Sequence, residues 1–177
     1  MVVDKVINLG VRDVVTVQQQ GQAFENWTFD VLRPYISKLN ATNWSGNPDF
    51  YFDLNDHAVL LECKCFSFRE KNDRRPRYLS LRKSQIDALR KMKNGLGGDN
   101  EIYLIVGILF SQYDMHPVVV ELEEAISRAK RWKHADGRKF VSMEVLMRQR
   151  TLRTWMSEMF KVKPEHIQFP EWRAYLR

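Results

Sequence analysis

An aspartate, a glutamate and a lysine are the residues of this chain whose types and spacing could do chemistry. Asp49 is followed after a gap of twelve residues by Glu62, and Lys64 lies two residues further on. Glu62 and Lys64 come directly after the apolar run Val59-Leu60-Leu61, so both charged side chains are expected to be buried. Buried charges need ionic partners or a metal ion. The group is therefore either an ordinary salt bridge or part of a metal site.

Two predicted strands bring these three residues together. Residues 49–54 and 57–66 have the composition of strands in a hairpin, with the two residues between them as the turn. Pairing outward from the centre of that turn sets Asp49 opposite Glu62. Opposite residues of an antiparallel pair share one face of the sheet, and Lys64, two residues beyond Glu62, points to the same face.

The other face of this hairpin is apolar. It carries Phe50, Phe52, Val59, Leu61, Cys63 and Cys65. We therefore expect that face to be the core side and both cysteines to serve packing. A zinc site is not expected, because no Cys or His pair completes four ligands. Two packed thiols favour a reducing, cytoplasmic setting without a structural disulfide.

Two basic blocks lie in a chain whose net charge is +6. Residues 63–95 hold eleven Lys and Arg against three Asp and Glu, and residues 128–177 hold thirteen against five. A basic face suits a polyanion, because phosphate contacts release counterions. The alternative is a solvated surface rich in Lys and Arg, so charge alone leaves nucleic-acid binding open.

The composition is that of one globular domain. The chain has 177 residues, of which 44% are hydrophobic and 28% charged, which excludes a wholly disordered, collagen-like or disulfide-framework chain. No stretch is apolar over eighteen residues, so neither a membrane span nor a membrane partner is expected. We expect a single domain over residues 1–177, with a core at about 18–122 and a helical C-terminal extension at about 123–177.

The order of the predicted elements favours an α/β fold with a mixed sheet. Helices are predicted at 18–39, 82–94, 123–133 and 143–160. Strands are predicted at 49–54, 57–66, 78–81, 101–110 and 118–122. A helix, a group of strands, a second helix and a further strand imply a mixed sheet flanked by helices.

The motif around the acidic pair resembles that of a known superfamily. Asn47-Pro48-Asp49, followed after twelve residues by Glu62-Cys63-Lys64, is similar to the PD-(D/E)XK nuclease motif. Glu25 matches the first-helix glutamate common in that superfamily, and the segment from Tyr78 to Gln85 resembles archaeal Holliday junction resolvases. The resemblance covers about residues 20–120. It implies a restriction-endonuclease-like α/β fold with a mixed central sheet flanked by helices, here with an added helical C-terminal region.

The resemblance also implies a metal-dependent DNA endonuclease. Asp49 and Glu62 would hold Mg²⁺, for which Mn²⁺ can substitute, and the backbone carbonyl of Cys63 would be a further ligand. Glu25 would bind the metal directly or through water. Lys64 would orient or help to deprotonate the attacking water and would stabilise charge on the scissile phosphate.

Nucleic-acid contacts are predicted for five further residues: Arg74, Arg75, Arg77, Lys83 and Gln85. Gln85 is either a contact to the site or to a phosphate, or a surface residue at the start of a helix. The expected enzyme is a homodimer that acts on branched DNA and needs no small-molecule cofactor. A type II restriction endonuclease and a non-catalytic DNA-binding subunit remain the alternatives.

Overall fold

The computed structural model of the protein describes residues 16–42, 48–67, 78–131 and 136–176. The helices are α1 (Val17–Leu32), α2 (Lys83–Gly95), α3 (Leu122–Arg128), α4 (Met143–Met147) and α5 (Leu152–Phe160). The strands are β1 (Asn40–Ala41), β2 (Phe50–Leu54), β3 (His57–Ser67), β4 (Tyr78–Leu81), β5 (Glu101–Ser111), β6 (Asp114–Glu121), β7 (Lys139–Ser142) and β8 (Arg150–Thr151). Short 3-10 helices are found at Arg33–Tyr35, Pro164–His166 and Trp172–Tyr175.

Six strands form one mixed sheet in the order β1-β2-β3-β5-β6-β8. Strands β3 and β5 run parallel, and every other neighbouring pair in this sheet is antiparallel. Strands β4 and β7 pair separately as a two-stranded antiparallel sheet. The predicted α/β architecture, a central mixed sheet flanked by helices, is confirmed.

The predicted hairpin is present in the predicted register. Phe50 pairs with Leu61, and Tyr51 pairs with Leu60. The turn residues Asn55 and Asp56 have φ angles of 48° and 68°, the left-handed backbone that a two-residue hairpin turn requires. A slip of one residue would have sent every side chain of β3 to the opposite face.

Both faces of the sheet are packed, which corrects the expectation of a single core side. On one face, α1 and α5 cover a core that includes Phe24, Leu61 and Trp155. On the other, α2 and α3 cover a second core that includes Leu60 and Ile86. The face that carries Glu62 is therefore apolar at Ala58, Leu60 and Phe66, and Glu62 and Lys64 interrupt it.

Helix α1 begins with a reciprocal cap. The Thr16 hydroxyl accepts from the Gln19 backbone N–H, and the Gln19 side chain accepts from the Thr16 backbone N–H. The helix gives way to a 3-10 turn that contains Pro34, which is why the predicted span to residue 39 was too long. Phe24 packs on β5 at Gly107, where a Cβ atom would lie 2.6 Å from Phe24 Cε2.

The region after residue 122 contains shorter helices than predicted and two additional short strands. The helix predicted at 123–133 ends at Arg128, and the one predicted at 143–160 is divided into α4 and α5. Ser142 and Thr151 each cap a helix start with their hydroxyl groups. Between the two helices, Arg150 and Thr151 pair with β6, and α5 then buries Trp155 in the core beneath α1.

None of the helices in the described ranges has the length and hydrophobicity needed to cross a bilayer.

Candidate active site

Asp49 lies one residue before β2, and its carboxylate spans the hairpin. Its Oδ2 accepts a hydrogen bond of 2.7 Å from the backbone N–H of Cys63. The Thr42 hydroxyl donates to the Pro48 carbonyl, and the Thr42 backbone N–H donates to the Asp49 carbonyl at 3.0 Å. These bonds hold the chain that enters β2, so the Asp49 side chain stays beside the residue that follows Glu62.

Glu62 is a buried carboxylate with two side-chain donors on one oxygen. Only 4% of the residue is exposed. Its Oε1 accepts from Lys64 Nζ at 2.7 Å and also from Gln85 Nε2. Both bonds fall on the same oxygen, and no hydrogen bond from a described residue reaches Oε2. The carboxylate is thus fixed in orientation with one oxygen available.

Burial raises the pKa of all three carboxyl groups of the site, and the charge of Asp49 adds to the shift at Glu62 and at Glu25. Burial raises the pKa of Glu62 from 4.5 to about 7; the nearby Lys64 ammonium opposes this shift and the Asp49 carboxylate adds to it. Burial also raises the pKa of Asp49, against the lowering effect of the Cys63 N–H bond. For Glu25 the pKa is raised by burial and by the charge of Asp49. A bound cation would offset the electrostatic repulsion among carboxylates that lie this close together.

Glu25 and Asp49 both line an open cleft of about 380 Å³ between α1 and the start of β2. The other lining residues are Gln22, Asn26, Phe29, Asp30, Ala41, Thr42 and Phe50. The Gln22 amide donates to Glu25 Oε2 at 3.5 Å and to Asn26 Oδ1 at 3.3 Å. The cleft leads from solvent to Asp49, which gives a ligand a route to the site.

Gln22 and Asn26 were not among the predicted site residues. The spacing of Gln22 carried a signal, because it lies three residues before Glu25 and four before Asn26, and helix residues three and four apart lie on one surface. Thr42, which holds the backbone of Asp49, had no such signal, since its partners Pro48 and Asp49 lie six and seven residues further along the chain.

The donor set fits a single hard cation that keeps most of its water. Asp49 and Glu62 offer carboxylate oxygens, and the Cys63 carbonyl follows directly in the chain. Within the described ranges no group of three or more His, Cys, Asp or Glu side chains could hold a metal ion. Mg²⁺ is usually bound through one or two carboxylates and retains several waters. The set therefore fits Mg²⁺ that Asp49, Glu62 and the Cys63 carbonyl would hold.

Cys63 could contribute to a metal site only through its backbone carbonyl, because its thiol stays protonated. Burial and the charge of Asp49 raise the pKa of its thiol well above the usual value. Burial likewise raises the pKa of the half-buried Cys65 to about 12. Both thiols therefore stay protonated, and neither is suited to soft-metal binding.

The predicted nucleic-acid contacts differ in their surroundings. Gln85 lies in the first turn of α2 and contacts Glu62, so it joins the site rather than the solvent-exposed surface. Lys83 is exposed and forms an ion pair with Asp87 one helical turn away. Arg74, Arg75 and Arg77 lie outside the described residues.

Comparison with known proteins gives a structural likeness but no sequence relative. No family model matches the chain, and no curated protein matches it. Among solved structures, the chain is similar to a Holliday junction resolvase from the archaeal hyperthermophile Archaeoglobus fulgidus. The TM-score is 0.54 and the identity 13%, over 77% of this chain and 94% of the resolvase. At that identity the likeness establishes the fold, which the two proteins share.

Proposed function

We propose that the protein is a metal-dependent endonuclease that hydrolyses phosphodiester bonds in DNA. The observation that carries the proposal is the buried Glu62 carboxylate, which Lys64 and Gln85 hold and whose pKa is raised by burial and, in part, by the charge of Asp49. A structural salt bridge would need only Lys64. The two carboxylates suit a bound cation, the ammonium group suits a phosphate, and the cleft gives both access to the site.

Each side chain has a distinct role in the proposed reaction. Asp49, Glu62 and the Cys63 carbonyl hold the cation, which when bound would supply Lewis-acid stabilisation of the charge that develops on the scissile phosphate. Lys64 orients the attacking water and offers its ammonium group to the phosphate oxygens. Gln85 keeps the Glu62 carboxylate from rotating, and Glu25 orders water at the mouth of the cleft.

The substrate we propose is branched DNA, cut by a symmetric homodimer with one site for each of two strands. The support for this choice is the shared fold with a protein described as a Holliday junction resolvase. A type II restriction endonuclease, which cleaves duplex DNA at a specific sequence, would use the same catalytic chemistry. It is distinguished from a resolvase by which DNA substrate is cut. A DNA-binding subunit without activity would bind DNA and release no cleavage product.

The decisive experiment is a panel of end-labelled four-way junction, flap, linear duplex, single-stranded DNA and RNA substrates, each with Mg²⁺, Mn²⁺ or EDTA. We expect paired nicks in the junction with either metal and none with EDTA. The matched control is Glu62→Gln, which keeps the shape of the side chain. Discrete fragments from linear duplex would replace the resolvase assignment with a restriction enzyme. Binding without any product from the wild-type protein would reject the nuclease proposal.

A further inference from the structure

A strand from the C-terminal region lies beside the start of α2. In the β4–β7 sheet, Leu81 pairs with Lys139, and Tyr78 pairs with Ser142. Lys130 pairs with Phe140 through backbone hydrogen bonds of 2.8 and 3.1 Å in both directions. This arrangement brings the C-terminal chain next to the residue that precedes α2. The first turn of the same helix carries Gln85, which contacts Glu62.

Six basic residues lie on this part of the molecule, which we name the β4–β7 basic surface: Arg82, Lys83, Lys130, Arg131, Arg138 and Lys139. Five of them are exposed, and Lys139 is half-buried. Contact across the surface is close, because a Cβ atom at Gly137 would lie 3.0 Å from Lys83 Cδ. The surface combines residues from both basic blocks of the sequence, although about fifty residues separate them in the chain.

Many of the basic residues on this surface have no acidic partner. Lys161, Lys163 and Arg173, exposed elsewhere in the C-terminal region, also form no ion pair with a described residue. The other three described basic residues that are exposed in that region are in ion pairs: Arg128 with Glu124, Arg148 with Glu144, and Arg150 with Glu158. By contrast, Arg82, Arg131, Arg138 and Lys139 form no ion pair with any described residue. Like charges that gather without acidic partners repel one another, and an incoming polyanion relieves that repulsion.

We propose that the β4–β7 basic surface holds the phosphate backbone of the nucleic acid whose scissile bond reaches Glu62. This inference rests on the proposed function and adds the C-terminal region to the substrate-binding surface. Phosphate contacts of this kind fix the position of the nucleic acid without reading its sequence. Arg82 lies only three residues before Gln85, so an occupied surface continues directly into the catalytic site.

An anionic bilayer is the other polyanion with matching charge, and the surface is poorly suited to it. Peripheral membrane binding adds inserted apolar side chains to basic ones. The large apolar side chains exposed in the described ranges are Val17, Leu96, Tyr113 and Met147. None of them belongs to β4, to β7 or to the first turn of α2.

The test compares two triple variants that lose equal charge. The first is Arg131→Ala/Arg138→Ala/Lys139→Ala, and the control is Arg128→Ala/Arg148→Ala/Arg150→Ala. Binding of a fluorescent four-way junction and a matched duplex is followed by anisotropy in EDTA, from 50 to 200 mM salt. The slope of log K against log salt is negative, and each lost phosphate contact lowers its magnitude by about 0.9. We expect a decrease of about 2 to 3 for the first variant and less than about 1 for the control.

A second variant guards against local loosening of β7. Arg82→Ala/Arg131→Ala/Arg138→Ala changes no residue of β4 or β7 and should reduce the slope to a similar extent. Equal slopes for the variants and the control would overturn the inference, as would wild-type protein that does not bind DNA. Loss of binding to phosphatidylserine vesicles, with DNA binding intact, would assign the surface to membranes and reject it as a nucleic-acid site.

Failure of this inference and failure of the proposed function give different results. If the wild-type protein cleaves DNA and both surface variants have the same salt slope as the wild type, the nuclease proposal is supported and the β4–β7 basic surface is not the DNA-binding surface. If the wild-type protein binds with a slope that the variants reduce, but cleaves nothing in the panel, the surface stands and the nuclease does not.

Discussion

Gln85, in the first turn of α2, donates a hydrogen bond to Oε1 of Glu62 on β3. Lys64 donates to the same oxygen from the same strand as Glu62. The carboxylate is thereby held by one helix and one strand at once, and its second oxygen receives no hydrogen bond from a described residue. A side chain held in this way presents that oxygen in one orientation, as the proposed cation site requires.

Replacing Gln85 tests this arrangement. We expect Gln85→Ala to lower kcat by about 10- to 100-fold and to raise the Mg²⁺ concentration needed for half-maximal activity, because supporting hydrogen bonds tune metal ligands on that scale. The measurement is a cleavage titration with Mg²⁺. Ser84→Ala, the exposed neighbour, serves as the control and should leave both quantities unchanged. A Gln85→Ala enzyme with wild-type Mg²⁺ dependence would show that the contact is incidental.

The three central residues should each be essential for cleavage. Asp49→Asn, Glu62→Gln and Lys64→Ala are expected to reduce single-turnover cleavage by at least about 100-fold, since each removes charge from the centre of a buried site. Asn at position 49 can still accept the Cys63 hydrogen bond, so a loss of activity in Asp49→Asn would report the missing charge and not a folding defect. Asp53→Asn, exposed and near the hairpin turn, is the matched control. Full activity in any one of the three would refute the assignment.

Glu62 should make the metal-free protein less stable as the pH rises. Its pKa is raised in the folded state from 4.5 to about 7. The stability gained from this protonated group is complete below pH 4.5 and is lost as the pH passes through 7. Each pKa unit corresponds to about 1.4 kcal/mol, so Glu62→Gln should stabilise the protein by up to about 3 kcal/mol at pH 8.5 and by little at pH 5.

Thermal melts in EDTA at the two pH values measure this effect. Added Mg²⁺ should raise the Tm of the wild-type protein at pH 8.5 and leave that of Glu62→Gln nearly unchanged, because binding to the folded state alone stabilises it. The same difference in Tm between the two proteins at both pH values would contradict the assigned burial of Glu62.

The contact between α1 and β5 gives a test of packing that is independent of activity. Gly107→Ala should destabilise the protein by about 1 to 3 kcal/mol, because the added methyl group would overlap the buried Phe24 ring. Gly21→Ala in α1 meets no atom within 4 Å and should stabilise by up to about 1 kcal/mol. Urea unfolding of both variants decides, and equal stabilities would show that Phe24 moves freely.

The hairpin could be predicted from the sequence because its signals are local. Apolar alternation and a two-residue turn determine the pairing of Phe50 with Leu61, and with it the side on which Glu62 lies. The second core could not be predicted in that way. Leu60 is buried by Ile86 and its neighbours on α2, a partner that the alternation of one strand does not reveal.

The C-terminal strands were missed for a similar reason. The sequence predicted one continuous helix at 143–160, which the structure divides into α4 and α5. Arg150 and Thr151 leave the helix because β6 offers them backbone partners at Val118 and Val119. Strand β7 likewise depends on β4, about sixty residues earlier in the chain, and short strands of this kind carry little propensity of their own.

The two-residue strands at both edges of the main sheet also limit how copies of the protein can associate. Long exposed edges let sheets join backbone to backbone, and very short edge strands are one way of preventing it. In the described residues, β1 and β8 leave few amide and carbonyl groups for such joining. Strand addition to β1 or β8 themselves is thus disfavoured, and a partner strand would find its backbone groups on the uncovered parts of β2 and β6 instead.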